Sequence, residues 1–115
     1  MTTVTRADRD ETNSYADDSP FDALFGQPAR TKILAAFVSE RGRDLNVSYV
    51  ADLAGVARST VYDHLDDLQE LGVIEHTRDV GGSPMYQLNE DSEVAEELVR
   101  LEGVTLDRLF EMDDE

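Results

Sequence analysis

The sequence contains no cysteine and only one lysine among its 115 residues. Without cysteine the chain can form neither disulfides nor thiolate metal sites, and it has no thiol with which to sense redox state. No apolar run approaches the roughly 20 residues that cross a bilayer, and the first residues carry no hydrophobic signal core. We therefore expect a protein of the cytoplasm that does not contact membranes.

The motifs of common enzyme classes are missing as well. His64 and His76 are the only histidines, and their spacing does not suit a zinc site on one helix. The sequence has no Gly-rich phosphate loop and no Gly-x-Ser-x-Gly element. We expect no enzyme activity, no metal and no cofactor.

Positive charge is scarce: 10 basic residues face 26 acidic ones, and the formal net charge is −16. DNA-binding domains are usually basic, so the total charge argues against DNA. Residues 27–65 have no excess of acidic residues, since they contain five basic and four acidic ones. The lysine-poor, acidic composition resembles that of proteins from extreme halophiles, which work in molar salt where the Debye length is about 3 Å. An ordinary acidic domain from a mesophile is the alternative.

The most informative stretch runs from Asn46 to Leu71 and predicts two helices joined by a tight turn. Asn46 can cap the first helix, and Gly55 can adopt the left-handed conformation that ends it. In the second helix, apolar residues recur at spacings of four and three, leaving a polar face that begins at Arg58. Such a pair is the layout of a helix-turn-helix, whose second helix enters the DNA major groove.

The run VADLAGVARSTVYDHLDDLQELGVIEHTRDVGGSPMYQL, residues 50–88, resembles the winged helix-turn-helix of prokaryotic transcription regulators of the ArsR and MarR type. With the preceding ARTKILAAF the resemblance covers about residues 20–112, and the composition suggests the haloarchaeal variety. It implies a mostly α-helical fold with a small β-hairpin wing, formed by residues 73–78 and 85–88 around a Gly81-Gly82 turn. Asp44 to Asn46 is expected to add a minimal first strand. Ala57 departs from the Ser or Thr that such proteins place as helix cap.

Candidate DNA contacts follow from this layout. Arginine can pair with guanine, Ser and Thr can bond base edges or phosphates, and an acid can accept from cytosine. The recognition-helix candidates are Arg58, Ser59, Thr60, Tyr62, Asp63 and His64; the candidates for backbone contact are Arg78, Gly81, Gly82, Arg30, Lys32 and Arg43. Some have simpler alternatives: a surface salt bridge for Arg58, a solvated face for Arg30 and Lys32, packing for His64, and turn formation for the glycines.

The last helix, starting after Asp91 and Ser92, carries more apolar surface than one small domain can cover, which indicates a partner site. We expect a homodimer interface formed by this helix together with a short apolar helix near residue 21. The candidate interface residues are Phe21, Leu24, Phe25, Val94, Leu98, Leu101, Thr105 and Leu109.

The predicted organisation is therefore a disordered acidic tail at 1–18, a winged helix-turn-helix at 19–90 and a dimerisation helix with an acidic end at 91–115. The predicted function is a homodimeric regulator of transcription that binds double-stranded DNA at a near-palindromic promoter site in high salt. Monovalent cations such as K⁺ can take part at that interface. The alternative is a winged-helix module that contacts another protein and never binds DNA.

Overall fold

The computed structural model describes residues 15–114. A 3-10 turn, Tyr15–Asp18, precedes five α-helices: α1 Pro20–Phe25, α2 Pro28–Ser39, α3 Val47–Ala54, α4 Arg58–Glu70 and α5 Glu93–Asp113. The strands are β1 Leu45–Asn46, β2 Ile74–Val80 and β3 Ser83–Leu88. The mostly helical fold with a hairpin wing is confirmed. Of the tail predicted for residues 1–18, the first 14 lie outside the described residues.

Three helices begin with a polar side chain that accepts a hydrogen bond from an amide of the first turn. Ser19 accepts from the amide of Asp22, Asn46 from that of Tyr49, and Ser92 from that of Ala95. Ala57 makes no such bond at the start of α4, as expected from its methyl side chain. The Thr60 amide donates to the carbonyl of Ala57 at 3.0 Å, whereas the amides of Arg58 and Ser59 have no side-chain cap and are left for solvent or a ligand.

The turn between α3 and α4 depends on Gly55, whose φ is +72°. Its amide donates to the carbonyl of Ala51 at 2.8 Å, and the Val56 amide donates to the same oxygen at 3.1 Å. Val56 is half-buried and packs against the core. These contacts fix the direction in which α4 leaves α3.

The sheet is antiparallel, with strand order β1-β3-β2. Leu45 faces Tyr86, and Ile74 faces Leu88. The wing strands are longer than predicted, because pairing continues to Val80 opposite Ser83 and leaves only Gly81 and Gly82 as the loop. Both glycines have positive φ, +56° and +83°, as a two-residue type I′ hairpin turn requires.

The core lies between α2, the helix-turn-helix and the base of the sheet. Its largest fully buried side chains include Phe37, Ile33, Leu45 and Leu68, so α2 forms the floor of the domain. From α5 only Ala95 and Leu98 are buried. The rest of that helix extends beyond the core and runs without a break through Gly103. Within residues 15–114 no helix is both long enough and apolar enough to span a bilayer.

Candidate nucleic-acid interface

Helix α4 divides into a buried face and an exposed one. Val61, Leu65 and Leu68 are at most 4% exposed. The polar residues of the opposite face are exposed: Arg58, Ser59, Tyr62, Asp63, Asp66 and Gln69. Thr60 is half-buried. The Arg58 guanidinium forms no ion pair with any group in residues 15–114, so the simpler explanation of Arg58 as half of a surface salt bridge finds no support.

The opening of α4 adjoins two other elements at a small polar notch of about 50 Å³. The notch joins the start of α3, the start of α4 and the wing; its lining residues are Asn46, Val47, Ser48, Arg58, Tyr62, Ser83 and Pro84. Ser48 at the start of α3 and Ser83 of the wing thus line the same notch as Arg58. A surface with this composition can donate hydrogen bonds to phosphates next to an arginine that reaches bases.

Two predicted DNA contacts lie inside the domain instead. Arg30 is 8% exposed and His64 is 5% exposed, and Arg30 Nε donates to His64 Nδ1 at 3.0 Å. The Arg30 guanidinium also donates to the carbonyl of Ala23 at 2.9 Å and to the carboxylate of Asp67 at 2.6 Å. A phosphate contact by either residue would require breaking these bonds, so the geometry favours packing for His64 and internal hydrogen bonds for Arg30 over the predicted DNA contacts.

Arg78, the cation of the wing, is held by Asp44. Its Nε lies 2.8 Å from Asp44 Oδ2 and its Nη2 lies 3.2 Å from Asp44 Oδ1. Thr77 also donates to Asp44, at 2.7 Å. The hydrogen bond from Arg78, followed by that from Thr77, lowers the pKa of Asp44 to about 2, and the carboxylate in turn raises the pKa of Arg78. The wing cation is therefore exposed but paired, and phosphate must compete with Asp44 for it.

The other predicted backbone contacts are at the surface. Lys32 and Arg43 are exposed. Arg43 pairs with Glu40 at 3.1 Å and its guanidinium lies 5.2 Å from the ring centre of Tyr49. An added Cβ at Gly81 or Gly82 would meet nothing within 4 Å, so the tip of the wing is open to an approaching surface.

Acidic groups surround the same region without forming a metal site. The pKa of Tyr86 is raised, first by burial and then by the nearby Tyr62, Asp66 and Asp79. His76 Nε2 lies 2.9 Å from Asp79 on the wing. Across residues 15–114 no group of three or more His, Cys, Asp or Glu side chains is arranged to hold a metal ion. The negative charge near α4 is dispersed, which suits screening by mobile cations.

A second candidate surface is apolar and lies along α5. One groove of about 360 Å³ runs between α2 and the C-terminal half of α5, and another of about 320 Å³ runs between α1 and the start of α5. Phe25, Leu98 and Leu101 line both grooves. Of the other predicted interface residues, Thr105 and Leu109 line the first groove, and Phe21, Leu24 and Val94 line the second.

Two residues important for these sites were missed by the sequence reasoning. Asp44 binds Arg78 from 34 positions away, and Asp67 binds Arg30 from 37 positions away. No local pattern predicts such pairs. His64 and Asp67 are three apart, which places them on one helix face, and this spacing was a usable signal that both share a partner.

The fold is that of known winged helix-turn-helix proteins. A crystal structure of Mycobacterium tuberculosis Rv0081 superposes with a TM-score of 0.57 at 26% identity, over 83% of this chain and 89% of that one. A homodimeric winged helix-turn-helix DNA-binding domain from Mycobacterium bovis, a possible ArsR-family regulator, gives 0.57 at 21% identity, over 87% and 93%. A MarR-family regulator from Silicibacter pomeroyi gives 0.56 at 24% identity, over 73% of this chain and 57% of that one.

Within this class, residues 31–78 match the IclR helix-turn-helix domain. The match runs from α2 through the helix-turn-helix into β2. A comparison with curated protein sequences finds no significant match. The resemblance to winged helix-turn-helix regulators is confirmed, with the IclR domain as the matching family model. The chain has the winged helix-turn-helix fold, and its residues 31–78 resemble the IclR helix-turn-helix domain.

Proposed function

We propose that the chain is a sequence-specific DNA-binding regulator of transcription that acts as a homodimer, with α4 as its recognition helix. One observation carries the proposal: α4 buries an apolar face and exposes Arg58, Ser59 and Tyr62 at its opening, next to the notch that includes Ser48 and Ser83. A helix held this way can enter a major groove while its neighbours bond the flanking phosphates.

The exposed residues suit distinct contacts. Arg58 can donate two hydrogen bonds to O6 and N7 of guanine, and Ser59 and Thr60 can bond base edges or phosphates. Tyr62 can bond phosphate or pack on a thymine methyl, and Asp63 can accept from cytosine N4. The residues proposed for backbone contact are Lys32, Arg43, Arg78, Gly81 and Gly82.

The proposed dimer surface combines α1 with α5. Phe21 is 70% exposed, Leu101 48% and Leu109 50%, and burying such side chains is favourable by about 25 cal/mol per Å². A second copy of the chain across the two grooves would cover this surface. Two recognition helices about 34 Å apart would then reach successive major grooves of a near-palindromic site. Residues 19–90 would form the DNA-binding domain, and 91–115 the dimerisation segment.

High salt is part of the proposal. Residues 90–115 hold eleven acidic residues against two arginines, a balance that repels DNA unless cations such as K⁺ intervene. Cations taken up at the interface would offset the counterions that Arg58 and its neighbours release. The usual steep loss of affinity with salt should therefore be blunted or reversed.

The test is binding of the whole chain to labelled promoter fragments between about 0.1 M and several molar KCl. We expect site-specific binding that persists at high salt and is lost in Arg58→Ala. Arg100→Ala is the matched control, because it removes an exposed arginine of α5, outside the proposed DNA surface. A DNA affinity that falls steeply as the KCl concentration rises would contradict the proposed adaptation to high salt. Equal losses of DNA affinity in Arg58→Ala and Arg100→Ala would contradict the role of α4 as recognition helix.

A protein-contact function is the second candidate. The exposed face of α4 carries Asp63, Asp66 and Asp67 beside the single Arg58, a charge pattern that can recruit a basic protein. This candidate predicts no DNA binding at any salt concentration in the titration.

A further inference from the structure

Arg30 connects three helices through one buried side chain. It belongs to α2, its Nη1 donates to the carbonyl of Ala23 in α1, and its Nε and Nη2 donate to His64 and Asp67 in α4. The Arg30 and His64 side chains are almost fully buried, whereas the Asp67 side chain is 57% exposed. The two ends of this network belong to the proposed dimer surface and to the proposed recognition helix.

The shape of the Arg30 guanidinium restricts where its three hydrogen-bond acceptors can lie. A guanidinium is planar and presents its donors in a rigid fork, so the three acceptors must take fixed positions around it. The Ala23 carbonyl is in the last turn of α1, where carbonyls lack partners within the helix. Because the Arg30 guanidinium is charged and its bond to His64 is buried, while those to Ala23 and Asp67 are part-buried, a displacement of α1 relative to α4 would leave polar groups of Arg30 unpaired at a cost in free energy.

Because the network holds α4 at His64, a small tilt of α4 there would displace the proposed DNA contacts at the start of the helix. Arg58 is six residues before His64, or about 9 Å along a helix that rises 1.5 Å per residue. If α4 tilted by about 10° at His64, the start of the helix would shift by roughly 1.5 Å. In a two-fold dimer the two shifts would add, changing the distance between the recognition helices.

From this we infer that Arg30 is a positioning residue that fixes α4 relative to the α1 surface and thereby restricts the half-site spacing that the dimer accepts. The inference rests on the proposed function and extends it to the spacing of the DNA site. Arg30 itself contacts neither DNA nor the partner in this account. It acts through His64, Asp67 and the α1 backbone.

The DNA test varies the separation of two identical half-sites one base pair at a time. The unsubstituted chain should prefer one spacing over its neighbours by at least about tenfold. Arg30→Met keeps the length of the side chain and its apolar stem, and we expect it to reduce that preference to about threefold or less. Arg41→Met, which removes an exposed arginine just after the same helix and outside the proposed DNA and dimer surfaces, should keep the preference. A loss of DNA affinity in Arg30→Met that is the same at every spacing, or an unchanged preference for one spacing, would overturn the inference.

A second readout needs neither DNA nor a dimer. Since the chain has no cysteine, Asp22→Cys in α1 and Gln69→Cys in α4 allow one pair of spin labels per molecule, diluted with unlabelled chain. We expect the distance distribution to broaden in Arg30→Met and to stay narrow in Arg41→Met. An unchanged distribution would overturn the inference whatever the DNA result. Broadening, together with no DNA binding by the unsubstituted chain, would support the positioning role and overturn only the proposed function.

Discussion

Replacing Leu101 by alanine should weaken self-association by a predictable amount. Leu101 lines both apolar grooves and is 48% exposed in the single chain. Full burial of a leucine side chain is favourable by about 1.5–3 kcal/mol, so covering the exposed half contributes about 1 kcal/mol per copy. Two copies in a two-fold dimer lose about 2 kcal/mol of association free energy, which corresponds to a roughly 30-fold higher dissociation constant.

Sedimentation equilibrium in molar KCl measures this constant directly. Val104→Ala is the matched control: Val104 is on the same helix and is 56% exposed, but it does not line either groove. Alanine favours helix at both positions, so neither variant should unfold α5. Equal dissociation constants for the two variants, or a chain that stays monomeric at all concentrations, would refute the reasoning that a second copy covers the grooves.

Three further predictions concern single residues. Ala57→Ser should raise the free energy of unfolding by about 0.5–2 kcal/mol, because the extended backbone at Ala57 suits a capping hydroxyl; a denaturant titration that shows no gain would contradict this. Gly55→Ala should destabilise the fold by about 1 kcal/mol in the same assay, because φ is +72° there and a Cβ is strained in that region; an unchanged midpoint would count against the left-handed turn. The pKa of Asp44 is lowered from its ordinary value of 3.8 to about 2, so the stability from its bonds is present above pH 3.8 and is lost as the pH falls through about 2. Carboxylate NMR should find the Asp44 midpoint near 2 and closer to 3.8 in Arg78→Ala, and identical midpoints would exclude Arg78 as the cause.

Features set by neighbouring residues were predicted well from the sequence. The cap at Asn46 and the turn at Gly55 depend on side-chain and backbone preferences that act within about one helical turn. The polar face of α4 follows from the 3.6-residue period of its apolar residues. The same reasoning placed the wing hairpin correctly but ended its strands too early, because pairing across a two-residue turn extends order beyond the apolar runs.

Features set by distant residues were not predictable in this way. Arg30 was a sensible phosphate contact on charge alone, yet His64 and Asp67, more than 30 positions away, bind it inside the domain. Arg78 was expected to contact the DNA backbone, and in the structure it is paired with Asp44. In both cases the charge of the arginine was visible in the sequence, whereas its acceptor depended on how the helices and the wing pack.

The central claim, that the opening of α4 reads DNA sequence, is tested most directly by selection from a pool of random duplexes. The unsubstituted chain in high KCl should enrich a two-fold symmetric motif with a conserved guanine in each half-site. The Arg58→Ala variant should lose the preference for that guanine while the Arg100→Ala control keeps it, since a bidentate arginine contributes about 1–3 kcal/mol of discrimination. Enrichment of the same motif by Arg58→Ala, or no enrichment by the unsubstituted chain, would contradict the claim.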